Sequence, residues 1–470
     1  MPPNSTTTTA PPPPSSIALS YENDDLSLVP SLKQKHGYRT AFVLYVNGDA
    51  VPPGKLARAT PEMTLLDYLR NVLLLTGSKL GCSEGGCGAC TVMISKWDSA
   101  REKILHYSVN ACLMPVAAAD GCHVTTVEGV GTTVNGLHPI QERMIEYHGS
   151  QCGFCTPGIV VAAYAVFASR EGDGVSEAYV EEHMDGNLCR CTGYRPIWDA
   201  VKSLCCGDDG KKCGDACGEC PISSSSDEKV DAAERDGVCT STTADKKRAP
   251  TAGKENFLDQ PDLMFPDALK QDLAPLLLCG KNCSWFKPVT LEQTLSLLST
   301  VKDLKIVTGN TEIGIDVKFR HRFFPRYLYP GAVPALTSVV TYPDRYEIGA
   351  CASLTSIMKA HNEESSGGCT ILKAFHDMLR WFASNQIRNV ACLGGNLVNA
   401  SPIADMNPML MAADARLEIA SEARGVRTQS LDDFFVSYRK VTVESDEIVT
   451  KVVVPRFENN VLERGVRTQS

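Results

Sequence analysis

The chain has no run of roughly 20 consecutive apolar residues, the length a helix needs to cross a bilayer. It is poor in aromatics, at 7%, and carries no surplus of positive charge: 46 Lys and Arg stand against 55 Asp and Glu, for a formal net charge of −9. Phosphate backbones bind basic faces, so nucleic acid is excluded as a main partner. The first 30 residues hold no arginine, no basic n-region and no apolar h-region, and so read as neither a transit peptide nor a secretory signal. No Gly-x-Gly-x-x-Gly follows a strand-like run, which leaves a Rossmann dinucleotide site without support. With no secretory signal, the 20 cysteines point to metal or redox sites in the cytoplasm rather than to a disulfide framework.

What the sequence does contain divides it, and the fold class expected is a multidomain α+β chain. Residues 1–37 open on a Thr/Pro tract and read as a disordered tail. Residues 38–131 read as an α+β unit of ferredoxin size. Its strand-like runs lie at 40–46, 90–95, 104–107 and 124–127, with a hairpin pair at Asn47-Gly48 and a capped helix start at Thr64. Residues 132–206 read as helical, over 140–148, 158–167 and 180–184 and again after Pro196, with Pro157 at a favoured first helical position. Residues 207–256 lack apolar periodicity and read as a solvated linker. Cys213, Cys217 and Cys220 lie in it and Cys205 and Cys206 just ahead, in a spacing that fits no common metal template. Residues 257–470 mix strands and helices. Within them the heptapeptide at 424–430 recurs identically at 464–470, which reads as a short duplication or, preferred, as the mark of a misassembled or truncated gene product.

Eight cysteines form two sets of four. Cys82-x4-Cys87-x2-Cys90, with Cys112 22 positions further on, has the plant-type [2Fe–2S] ferredoxin spacing. Gly81, Gly85, Gly86 and Gly88 suit a loop whose backbone must pass close to a cluster. The alternative for clustered cysteines is structural zinc, which seldom needs such glycine density or the x4 gap. The second set is Cys152-x2-Cys155 with Cys189-x-Cys191. No βαβ pattern surrounds it, which removes a thioredoxin-like reading, but on spacing alone iron–sulfur and zinc both stay open. Cys152 and Cys155 stand at a helix N-terminus, where the helix dipole is expected to favour thiolates.

Together these segments resemble the molybdenum hydroxylases, most closely their purine-dehydrogenase branch. Residues 81–93 are similar to the family's first-cluster loop, and residues 151–158 (Gln-Cys-Gly-Phe-Cys-Thr-Pro-Gly) and 186–196 (Gly-Asn-Leu-Cys-Arg-Cys-Thr-Gly-Tyr-Arg-Pro) to its second-cluster motifs. The match covers 40–205 and resumes over 258–455. It implies a second [2Fe–2S] cluster in a helical domain, then an FAD domain of the vanillyl-alcohol-oxidase type. On the resemblance, Ile306, Val307, Thr308, Gly309, Asn310, Thr311, Glu312 and Ile313 form the flavin-diphosphate loop. Cys392, Leu393, Gly394, Gly395 and Asn396 form a second phosphate-contacting loop, Phe382 lies near the isoalloxazine ring, Asp405 binds FAD and Val449 is an apolar contact. Read without the resemblance, Gly309-Asn310-Thr311 and Gly394-Gly395-Asn396 can cradle a pyrophosphate through backbone N–H groups. Such a turn, and a phenylalanine like Phe382, also serve plain structural ends.

The resemblance implies an electron relay. A molybdopterin centre on another part of the enzyme, or on a partner chain, takes two electrons from a purine carbon; the clusters pass them singly; FAD collects them and delivers a hydride to NAD+. A homodimer is the implied assembly. The match fades at 458–460, so the FAD domain is expected to be incomplete and the molybdopterin part, with its catalytic glutamate, absent. No catalytic residue is therefore assigned, and purine hydroxylation by this chain alone is not expected. Three readings stand beside this one: the iron–sulfur/flavin subunit of a split enzyme, an aldehyde oxidase, and, from another class, a zinc-structured interaction protein or a nonfunctional truncated product.

Overall fold

Asn47 and Gly48 both adopt positive φ, 53° and 93°, and close a two-residue hairpin between β1 (Leu44–Val46) and β2 (Asp49–Ala50). The computed structural model in which this turn is seen describes residues 29–134, 136–169, 174–205, 265–363 and 370–456. Cys206, the linker cysteines Cys213, Cys217 and Cys220, and the second copy of the heptapeptide lie outside the described residues. β3 (Thr91–Asp98) and β4 (Lys103–Asn110) form a long antiparallel hairpin, and β5 (Cys122–Thr125) lies between β3 and β1, parallel to β1. The sheet order is β2-β1-β5-β3-β4.

The strand expected over 40–46 begins only at Leu44, and the one at 124–127 stops at Thr125, where the chain turns helical over Val127–Val130. Just upstream of β1, Arg39 is bound instead to a distant segment: its N–H donates to Pro275 at 2.8 Å and its carbonyl accepts from Leu277 at 2.9 Å. Thr64 caps the turn Leu65–Asp67, its hydroxyl accepting from the Asp67 N–H at 3.1 Å. A wider π turn, Tyr68–Val72, follows. Leu65, Leu66, Tyr68, Leu69 and Val72 are all buried, and this packing holds a short element that leads straight into the cysteine loop.

Four helices come next: Pro139–Glu146, Thr156–Ala168, Glu177–His183 and Arg195–Lys202. Thr156–Ala168 is apolar all round, as a core helix must be, and packs on β3 and β4. Two further sheets follow. β6 (Leu276–Cys279), β7 (Ser284–Lys287), β8 (Leu304–Ile306) and β9 (Arg326–Leu328) form a mixed sheet in the order β6-β7-β9-β8. β10 (Val339–Thr341), β11 (Arg345–Gly349), β12 (Arg416–Ser421) and β13 (Gly425–Ser430) precede a ribbon of β14 (Phe435–Ser437) and β15 (Lys440–Val441) and a last strand, β16 (Glu447–Pro455). Apart from the ribbon these make an antiparallel sheet, β10-β11-β16-β12-β13, so the first heptapeptide copy is its edge strand.

The ferredoxin-sized unit does not own its core. Leu276, Trp285 and Tyr327 of the mixed sheet join Leu65, Tyr68 and Val92 in one buried cluster. Beside it Asp120 is clamped between Lys287, at 2.9 Å, and Arg39. The disordered tail read over 1–37 needs correction at its end. Val29–His36 is a helix; Leu32 is buried against Leu297 and Leu298, and Lys35 Nζ donates to Ser296 Oγ at 3.0 Å. No helix among the described residues is long and apolar enough to cross a membrane.

Candidate cofactor sites

The first cysteine loop wraps its own sulfurs. Gly85 and Gly88 take φ of 86° and 67°, conformations that a side chain disfavours, and a Cβ on Gly81 would lie 2.7 Å from Cys87 Sγ. The loop's N–H groups turn inward: Gly86 donates to Cys82 Sγ at 3.3 Å, Glu84 to the same sulfur at 3.5 Å, and Cys82 to Cys87 Sγ at 3.4 Å. Cys82 touches Cys87, and Cys90 touches Cys112. The thiols thus meet in pairs. Within the buried pair the Cys112 contact and burial push the Cys90 thiol well above its ordinary range. Hydrogen bonding from Cys90, aided by the Lys318 charge, outweighs burial and brings Cys112 down to about 7. One thiol of the pair is poised to hold a proton and the other to lose it, and metal binding releases such a proton.

The second set gathers where two helices begin. Cys155 caps Thr156–Ala168, and Cys189 and Cys191 precede Arg195–Lys202, whose cap Tyr194 has φ of 72°. Cys152 pairs with Cys191 and Cys155 with Cys189, while Cys189 Sγ lies 3.1 Å from Thr192 Oγ1. The expectation that the helix start favours thiolates does not account for Cys152, which the Phe154 N–H and the contact with Cys191 lower. It fails for Cys155: burial and the shared contact with Cys189 push that thiol up to about 12. Among the described residues no three or more His, Cys, Asp or Glu converge as ligands to a single ion. Four thiols meeting two by two suit a two-iron cluster, which takes a pair of thiolates on each iron.

The predicted flavin loops, far apart in sequence, lie side by side. The segment from β8 to the helix Ile313–Phe319 passes so close to the chain before the second loop that a Cβ on Gly309 would lie 2.2 Å from the Val390 carbonyl. Thr308 Oγ1 is 3.0 Å from Cys392 Sγ, and Cys392 in turn caps the helix Leu393–Asn399 by accepting from Gly395 N–H at 3.3 Å. Asn396 Oδ1 is buried there with no hydrogen-bond partner. A hydroxylated ligand such as FAD would supply the donor it needs. Not every predicted residue faces this cradle. Asn310 Nδ2 donates to the Leu113 carbonyl at 2.8 Å, Glu312 accepts from Arg439 at 3.0 Å, and Leu393 is wholly buried. Phe382 packs half-buried against the core of the antiparallel sheet, Val449 is buried inside that core opposite Ile419, and Asp405 is exposed at the start of the helix Met406–Ala412.

Residues 52–117 match the model of a 2Fe-2S iron-sulfur cluster binding domain, 126–202 a [2Fe-2S] binding domain, and 281–457 the FAD binding domain in molybdopterin dehydrogenase. The xanthine dehydrogenase of Drosophila subobscura is 41% identical over 429 residues, covering 87% of this chain and 30% of that protein. Xanthine dehydrogenase 2 of Arabidopsis thaliana is 40% identical over 439 residues, covering 88% and 31%. The chain is homologous to the xanthine dehydrogenases. It carries two [2Fe–2S] domains and an FAD-binding domain, and spans about 30% of the length of these xanthine dehydrogenases. Among solved structures, quinoline 2-oxidoreductase from Pseudomonas putida 86 is 37% identical over 34% of this chain and 89% of its own, with a TM-score of 0.27.

The domains of this xanthine dehydrogenase homologue meet at a junction that sequence reasoning missed. Leu188 N–H donates to the Cys87 carbonyl at 3.0 Å, and Asn187 Nδ2 to the Gly88 carbonyl at 2.9 Å. Gln386 Nε2, from the flavin domain, donates to Asn187 Oδ1 at 2.8 Å. Beside it Arg388, 1% exposed, binds Asp185 at 2.8 Å. Lys318 Nζ reaches the carbonyls of Ser83, at 3.1 Å, and Cys112. Asn187 stood inside a recognised motif, but nothing local marked Gln386 or Lys318, whose partners lie 199 and more positions away.

Proposed function

We propose that this chain is the electron-transfer portion of a xanthine dehydrogenase-like molybdenum hydroxylase, working between a molybdopterin centre elsewhere in the enzyme and NAD+. In this reading Cys82, Cys87, Cys90 and Cys112 hold one [2Fe–2S] cluster and Cys152, Cys155, Cys189 and Cys191 the other, while the loops at 306–313 and 392–396 hold FAD in a domain of the vanillyl-alcohol-oxidase type. Bound there, the clusters supply one-electron transfer and the flavin the exchange between single electrons and a hydride. The chain's own part is placement. The observation that carries the reading is the hydrogen bond from Leu188 N–H to the Cys87 carbonyl, which joins one candidate ligand to the neighbour of another, Cys189. On the far side of the first set, Asn310 and Lys318 tie the candidate diphosphate loop and its helix to Leu113, Ser83 and Cys112. The setting proposed is cytoplasmic, where thiols that serve as cluster ligands are kept reduced.

The test is anaerobic purification followed by assay of iron, acid-labile sulfide and flavin, with electron paramagnetic resonance of the reduced protein. Equal iron and sulfide and two distinct signals are expected, one of them missing in Cys87→Ser. Zinc without sulfide would sink the proposal in favour of a zinc-structured protein.

A further inference from the structure

We infer that Lys318, on a helix of the flavin domain, is a fixed cation that raises the reduction potential of the first cluster. The inference deepens the function proposed above and rests on its assignment of Cys82, Cys87, Cys90 and Cys112 as ligands. Lys318 stands on Ile313–Phe319, the helix that follows the candidate diphosphate loop. From there its half-buried ammonium crosses to the other domain, where it is held by the carbonyls of Ser83, at 3.1 Å, and Cys112. Ser83 adjoins the candidate ligand Cys82 and Cys112 is itself one, so the charge is anchored at both ends of the ligand set.

Its surroundings leave that charge uncancelled. The nearest acid on the same helix, Asp316, is taken up by Arg320 and by Arg322 at 3.0 Å, and Lys318 makes no ion pair among the described residues. Two carbonyls could be satisfied by any pair of neutral donors; a lysine adds a full positive charge. One-electron reduction of a four-thiolate cluster adds one negative charge and changes no bond, so a nearby fixed cation favours the reduced state. Among the described residues no lysine or arginine of the flavin domain is hydrogen-bonded to the carbonyl of a second-set cysteine or of its neighbour. There the bridging contacts include Asn385, Gln386, Arg388 and His376, the last with Glu182 at 3.5 Å, and Arg388 is already neutralised by Asp185. The device therefore acts on one cluster.

Redox titration followed by electron paramagnetic resonance tests this on the whole chain. Lys318→Gln keeps a donor for the carbonyls and removes the charge; the first-cluster midpoint should fall while the second stays. Lys318→Arg should restore the wild-type value. Lys318→Met should reproduce the fall if the glutamine variant is too unstable to isolate. An unmoved first midpoint, equal shifts of both clusters, or a fall that arginine does not repair would overturn the inference. Absence of two cluster signals in the unmutated protein would instead bring down the functional reading beneath it.

Discussion

His123 shows how much a single buried side chain can set. It lies on β5, 1% exposed, and its Nε2 accepts from the Gly48 N–H at 2.8 Å, which fixes the hairpin turn against the sheet. Only the neutral ring can accept there. Burial, reinforced by the neighbouring His106, lowers its pKa to about 4. The folded state therefore binds this proton less readily than the unfolded chain. The stability it contributes is fully present above pH 6.5 and is lost as pH falls from 6.5 towards 4. At about 1.36 kcal/mol per pKa unit the effect is on the order of 3 kcal/mol. Thermal unfolding between pH 7 and 4 should steepen for the natural protein and flatten for His123→Gln, whose amide oxygen can still accept. Equal slopes in the two would remove His123 from the account. Asp120 acts at lower pH. Burial pushes its carboxyl up, but Lys287 and Arg39 outweigh it and hold the group below the usual range, so their contribution is lost only as pH falls through that lowered value.

Among the elements, the helix Thr156–Ala168 was the most legible and its partner the least. Ten consecutive buried residues follow from an apolar run longer than any strand needs, and Pro157 marks where it starts. What the helix leans on could not be read from spacing: a Cβ on Gly158 would lie 2.3 Å from the Gly88 carbonyl, inside the first cysteine loop. An ordinary helical glycine gains about 0.4–1 kcal/mol on replacement by alanine. Here the sign should reverse, because overpacking typically costs about 1–3 kcal/mol. Denaturant unfolding of Gly158→Ala reads this directly, and a more stable variant would contradict the contact. The short strands were legible as types and blurred at their ends. The run at 40–46 is strand only from Leu44; just ahead of it Arg39 pairs with Leu276, and Val43 N–H is taken by the Asp120 carboxylate at 3.1 Å, contacts that local propensity does not report.

For the whole molecule the balance is similar. The paired cysteines and the glycine loops around 309 and 394 were legible because their chemistry restricts residue type at close spacing. The surfaces that bring those sites together were not, since Lys318 with Ser83, Gln386 with Asn187 and Asp120 with Lys287 are single contacts between distant segments. Nor could sequence separate a unit from its neighbour's core, as Trp285 completing the packing around Tyr68 shows. The reading of Val29–His36 as tail failed for the same reason: the helix is held by Ser296 and Leu297, not by its own composition.

The two cysteine sets also differ in what reaches them from outside. Cys90 and Cys112 are sealed to 2% exposure, whereas Cys152 and Cys191 are open, with Phe154 47% and Leu188 56% exposed around them. Reagents in solution should meet the two sites on different clocks. Incubated with an iron chelator or in air, this chain should lose the resonance of the second site well before that of the first. A fresh sample thus ages into a protein with one cluster, and its storage history becomes part of any electron count made on it.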